Sequence, residues 1–129
     1  MITTDTQALL LQTPYEKRLA IIAETFGQLQ KDVGIEEGTL VFEGNPETAY
    51  QQLFEFMEPY LFDMLHQNGQ RFARVLYKVD ISESALNKKL RAFPEKSYVR
   101  VVTEMIIYRA FQKVMTKMIS RDNQGPNVD

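Results

Sequence analysis

The chain has 129 residues, enough for one domain that buries roughly two-thirds of its unfolded surface. It is 44% hydrophobic and 25% charged, as soluble globular chains are, and its lack of cysteine excludes disulfides, zinc ribbons and thiol nucleophiles. The net charge of −2 conceals a split: residues 1–66 carry 11 acidic against 3 basic side chains, and residues 67–129 carry 6 against 12. Such an asymmetry can bind the two halves to each other, set the acidic half of one copy over the basic half of its mate in an antiparallel two-fold pair, or offer the basic half to a polyanion.

At the N-terminus, Met1-Ile2-Thr3-Thr4-Asp5 lacks a basic n-region, and Leu9-Leu10-Leu11 is too short for a signal core. Charges interrupt every later apolar stretch before it could span a bilayer, which makes the cytoplasm the default expectation. Thr13-Pro14 reads as a cap followed by a first helical residue. Tyr15, Leu19, Ile22, Phe26 and Leu29 then recur at spacings of four and three, which predicts one apolar stripe. Gly34, Gly38 and Gly44 punctuate an acidic connector around Leu40-Val41-Phe42, a candidate short extended segment.

Asn45-Pro46 is expected to open a second, long helix with Ala49, Leu53, Phe54, Met57, Leu61, Met64 and Leu65 inward. Pro59 removes a backbone donor inside it and predicts a kink. Asn68-Gly69 is a stop signal, and a short third helix carries Phe72, Val75, Leu76 and Val79. Ser82 caps a fourth helix with Leu86 and Leu90, which Phe93-Pro94 ends. Ser97 caps the last and longest helix, running to about Ile119.

That last helix changes its apolar side halfway. Tyr98, Val101, Val102 and Met105 point one way, while Phe111, Val114, Met115 and Met118 point nearly the opposite way. The centre, Met105-Ile106-Ile107-Tyr108, should therefore be enclosed, with the two ends covered by different bodies. An N-terminal helix of the same chain is one cover. The other is a second subunit, which makes Phe111, Val114, Met115 and Met118 the candidate contact of a homodimer.

Residues that could carry chemistry are sparse. His66 follows Asp63 by three positions, with Glu55 and Glu58 earlier on the same helix. An acid-x-x-His step puts two metal ligands on one face, but a di-metal bundle needs two such steps and this chain has one histidine. The serines at 82, 84 and 97 lie at helix starts, where capping explains them. No Gly-x-Ser-x-Gly turn and no glycine cluster accompany them, so no catalytic residue, metal or cofactor is expected.

The stretch Ile81-Ser82-Glu83-Ser84-Ala85-Leu86-Asn87-Lys88-Lys89-Leu90 resembles the turn and recognition helix of bacterial helix-turn-helix regulators. The resemblance implies that Ser84, Asn87 and Lys88 face bases while Lys89 and Arg91 hold phosphates. Two positions depart from the family pattern. Asp80 stands where glycine is usual, and Leu76 where a small residue lets the helices approach. Asp80-Ile81-Ser82, together with Met105–Val114, also resembles small all-helical bacterial proteins with no assigned role, which implies a fold class only.

These readings converge on an all-α single domain over residues 1–121, of about five helices, with a long kinked second helix and a long C-terminal one. Residues 122–129 have no apolar pattern and are expected to form a mobile tail. The expected role is a non-catalytic, soluble, self-associating interaction module without membrane contact. A helix-turn-helix DNA-binding regulator is the alternative.

Overall fold

The computed structural model describes residues 5–123, which form six α-helices and, among the described residues, no strand. In chain order they are α1 (Asp5–Leu11), α2 (Tyr15–Val33), α3 (Ala49–Gln67), α4 (Gly69–Lys78), α5 (Glu83–Ala92) and α6 (Tyr98–Asn123). The all-α expectation holds. The helix beyond the expected five is α1, whose run of seven residues is too short for periodicity to reveal. Residues 124–129, most of the expected mobile tail, lie outside the described residues.

Helix boundaries follow local chemistry. Pro14 is the N-cap position of α2 rather than its first helical residue, and its carbonyl accepts from Lys17 and Arg18. The Arg18 side chain donates back to the carbonyls of Thr13 and Leu11, fixing the turn from α1. α2 ends at Gly34, where φ is +81° and a side chain would be strained; Gly34 and Ile35 both donate to the Gln30 carbonyl. Asn45-Pro46 forms a turn, so α3 begins later than expected, at Ala49. Pro59 sits inside α3 without ending it. The bond it forgoes, to the Glu55 carbonyl, falls on an exposed stretch where water can satisfy that group. Asn68 ends α3 and caps α4, accepting from the Arg71 amide.

The connector between α2 and α3 contains no strand, yet it is ordered by one side chain. Gln30, buried in α2, donates to the carbonyls of Phe26 and Leu40 and accepts from the amides of Gly38 and Leu40. The connector thereby satisfies backbone groups that would otherwise be buried without partners. Leu40 turns inward, Val41 outward, and Phe42 lies against Phe26 at 5.4 Å between ring centroids.

The core centres on α6, which packs on α2, α3, α5 and α1. Val102, Ile106, Ile107 and Ala110 are fully buried. The change of apolar side read from the sequence is met by different neighbours. Tyr98 and Arg100 reach the rings of Phe72 and Phe54 on α4 and α3, while Lys113, Lys117 and Arg121 meet α2. Phe111 and Val114 are buried within the chain, and Met115 and Met118 are half-buried against the same core. Their cover comes from this chain's own helices, so Phe111 and Val114 present no apolar face to a second subunit. The α2 stripe is also shorter than expected. Ile22, Phe26 and Leu29 are buried, but Tyr15 and Leu19 are exposed, because the start of α2 overhangs the core.

The two charge halves meet along α2 and α6. Asp32 pairs with Lys113 at 3.0 Å, Gln28 with Lys117 at 2.8 Å, and Glu24 with Arg121 at 2.9 Å. The steps of four on both helices run in opposite directions, as expected for antiparallel neighbours. These pairs are unequal. Asp32 is 4% exposed and also accepts from Gln28, whereas Arg121 and Glu24 are 59% and 39% exposed. Removing the partner of a buried carboxylate costs about 3 kcal/mol, while an exposed pair contributes at most about 1 kcal/mol. Lys113→Met should therefore destabilise the fold by about 3 kcal/mol and Arg121→Met by under about 1 kcal/mol, as read by urea denaturation.

Where α6 begins, burial and then the nearby Glu83 carboxylate raise the Tyr98 phenol above its ordinary pKa. The unfolded chain loses that proton first, so stability contributed below the ordinary tyrosine range, about 10, declines as pH rises through it. Alkaline melting curves should show this decline blunted in Tyr98→Phe.

Candidate functional site

Helix α5 is short and buries only Leu86, with Leu90 half-buried. Its start is fixed by the Ser82 hydroxyl, which accepts from the Ala85 amide at 3.1 Å. Ala85 and Lys89, one turn apart, therefore share a side of α5, and Ile81 precedes them. On α6, Val101, Met105 and Tyr108 recur at helical spacing on one side. The small side chain of Ala85 does not fill the seam between these two sides, and a cavity of about 350 Å³ remains. Thr6 of α1 and Tyr50 of α3 complete its wall, and Phe93 stands at the end of α5.

The cavity wall is mostly apolar, and its charges form two groups. In one, Asp80 pairs with Arg109 at 3.1 Å, and Arg109 also donates to Gln112. In the other, Lys96 pairs with Glu104 at 2.9 Å, and Arg100 stands 3.8 Å from the same carboxylate. Lys96 and Lys89 both lie over the Phe93 ring, with Nζ at 4.5 and 5.7 Å from its centroid. The arrangement can hold an apolar body and meet a polar head. His66 and the cap serines do not line it.

The helix-turn-helix candidates are only partly brought together. Ser84, Asn87, Lys88 and Arg91 are exposed on α5, whereas Lys89 lines the cavity against Phe93. Asp80 takes the left-handed conformation, φ +63°, at the turn position where the family has glycine. However, α4 packs mainly on α3 and α2, while α5 packs on α6. The bulk of Leu76, half-buried at the close-approach position, is consistent with that divergence.

His66 is exposed, its ring 4.2 Å from that of Phe62 and its Nδ1 2.8 Å from the Phe62 carbonyl. Among the described residues, no three His, Asp or Glu side chains converge as a metal site would require. No described helix is long and apolar enough to cross a membrane. No protein-family model, curated protein or solved structure matches the chain.

Sequence reasoning missed the cavity. Its one sequence signal is Ala85, a small residue between Ile81 and Lys89 where a larger apolar side chain would close the seam. Enlarging it tests the geometry. Ala85→Leu should occupy open space and shift stability by under about 1 kcal/mol, whereas Leu86→Ala, next in the chain but buried, should cost about 2–5 kcal/mol. Denaturant titration of both variants checks the contrast.

Proposed function

We propose that the protein is a non-catalytic binding module whose cavity beside α5 and α6 receives a small, mainly apolar molecule. The cavity itself carries this reading. A mostly apolar cleft of about 350 Å³, open to solvent where Ala85 and Phe93 are exposed, is the kind of concave apolar surface that ligand sites present. It falls within the roughly 300–1,000 Å³ range of small-molecule sites, with a few polar groups gathered at one wall.

Binding is favoured over turnover because both carboxylates of the cavity, Asp80 and Glu104, are engaged in ion pairs, and neither is set beside a nucleophile. Self-association is not needed to pair the charge halves, since α2 and α6 match them within the chain. DNA reading by α5 is the weaker alternative. Lys89 faces the cavity, and three cations of α6 are engaged by α2.

Decanol is a suitable probe, being apolar with a neutral head. Titration should shift the methyl resonances of Met105, Val101 and Ile81 and raise the melting temperature through linkage. Ala85→Leu should weaken both effects by occupying the space. Unchanged methyl resonances up to the solubility limit of decanol would reject the reading.

A further inference from the structure

We propose that the protein forms a weak antiparallel homodimer through the exposed side of α2, with Tyr15 and Leu19 of each copy seated over Gly27 and Ala23 of the other. No residue of α2 lines the cavity, so this contact and the ligand site stand or fall separately. The start of α2 projects past the core and leaves large apolar side chains wet. Tyr15 is 59% exposed, Leu19 41%, and Leu11, at the end of α1, 62%. Leu11 and Tyr15 lie together, because the Arg18 guanidinium, 5.8 Å from the centroid of the Tyr15 ring, also donates to the Leu11 carbonyl. Arg18 thereby orders part of this surface before a partner arrives, which lowers the entropic cost of association.

Tyr15, Leu19, Ala23 and Gly27 follow one another at steps of four and form a single ridge, exposed along its whole length. Its side chains shrink along the chain, two large and then two small. Gly27 lies inside a helix, where glycine is less favourable than alanine. A side chain there would meet no described residue within 4 Å, so no close approach inside the monomer calls for a glycine. A second copy does. Turned antiparallel about a two-fold axis between Leu19 and Ala23, the large end of each ridge meets the small end of the other. Tyr15 then fills the space beside Gly27, and Leu19 the space beside Ala23, twice over by symmetry. Ridges at steps of four interdigitate in the commonest class of helix packing. The same antiparallel sense sets the exposed Glu16, near the start of each ridge, toward the exposed Lys31, past the end of the other. The ridge is complementary to its own inverse, which an isologous contact requires and an unrelated partner does not.

Sedimentation equilibrium of the intact chain from about 1 to about 500 µM, a range that brackets small and weak interfaces, should show monomer passing to dimer. Leu19→Glu should weaken the dimer about tenfold or more by setting a charge in the contact, while the dilute monomer melts as before because position 19 is exposed. Gly27→Leu separates association from stability. A better helix former in open space should raise the melting temperature of the monomer, yet weaken the dimer about tenfold or more by occupying the seat of Tyr15. Phe62→Ala, at an exposed apolar residue of α3, should leave association unchanged. The chain has no cysteine, so single cysteines can report the register. Tyr15→Cys and Gly27→Cys chains should form a disulfide dimer faster when mixed than either does alone. A monomer across the whole concentration range overturns the proposal, and so does a dimer indifferent to Leu19→Glu or to Gly27→Leu. Cross-linking of either cysteine chain alone as fast as the mixture overturns the antiparallel register.

Discussion

Helix α6 carries apolar side chains on opposing sides of its two halves, and water has to be excluded from both. One flat neighbour cannot do this. The chain responds by surrounding the helix: α4 and α3 meet its first turns, α5 and α1 stand beside residues 101–109, and α2 runs along its far half. The cost of leaving Ile106, Ile107, Phe111 and Val114 wet is large, since each fully buried side chain of this size is worth roughly 1.5–3 kcal/mol. Against that, the exposed Glu24–Arg121 pair adds little. Burial of α6 sets the architecture, and the α2–α6 ladder aligns the two helices within it.

The cavity lies at the helix that this constraint leaves least committed to the core. Because α6 is already enclosed by its other neighbours, α5 need contribute little, and it is anchored chiefly by Leu86, by its Ser82 cap and by the turn through Asp80. A lightly anchored helix with a small residue on its inner side leaves space without undoing the core. The polar wall of that space comes from segments that turn corners, Asp80 before α5 and Lys96 after it, both tied to α6 by ion pairs. Corner segments can carry charge there because their backbones already reach solvent.

Much of the fold was legible in the residues, and the reasons differ by element. Spacings of three and four placed α2 to α6, while Asn68 and Ser82 marked boundaries that the hydrogen bonds now explain. The swing of α6 was legible because it is a property of one helix. An N-terminal helix was one of its two expected covers, but the choice between that helix and a second subunit was not legible, because the cover lies more than eighty residues away in sequence, as the Lys113–Asp32 contact does. Tyr15 and Leu19 were misjudged for a related reason: periodicity identifies a face of a helix and says nothing of how far its neighbour extends. The Gln30 staple was illegible for want of any pattern, since a single glutamine gives no period. The cavity depends on the spacing of two helices, which only Ala85 hints at.

The placement of α6 has a consequence for how the molecule is made. Synthesis runs from the N-terminus, so α1 to α5 leave the ribosome before the helix around which they assemble. Partners separated by 81 and 97 residues, as in Lys113–Asp32 and Arg121–Glu24, cannot meet until that helix emerges. Until then α2 and α3 have α4 but not α6 to dry their apolar sides, and loop closure over such spans has yet to be compensated. Nascent chains of this protein therefore pass through an open, sticky stage whose duration is set by translation of the stretch leading into α6, and a pause there is where chaperone capture or aggregation would act.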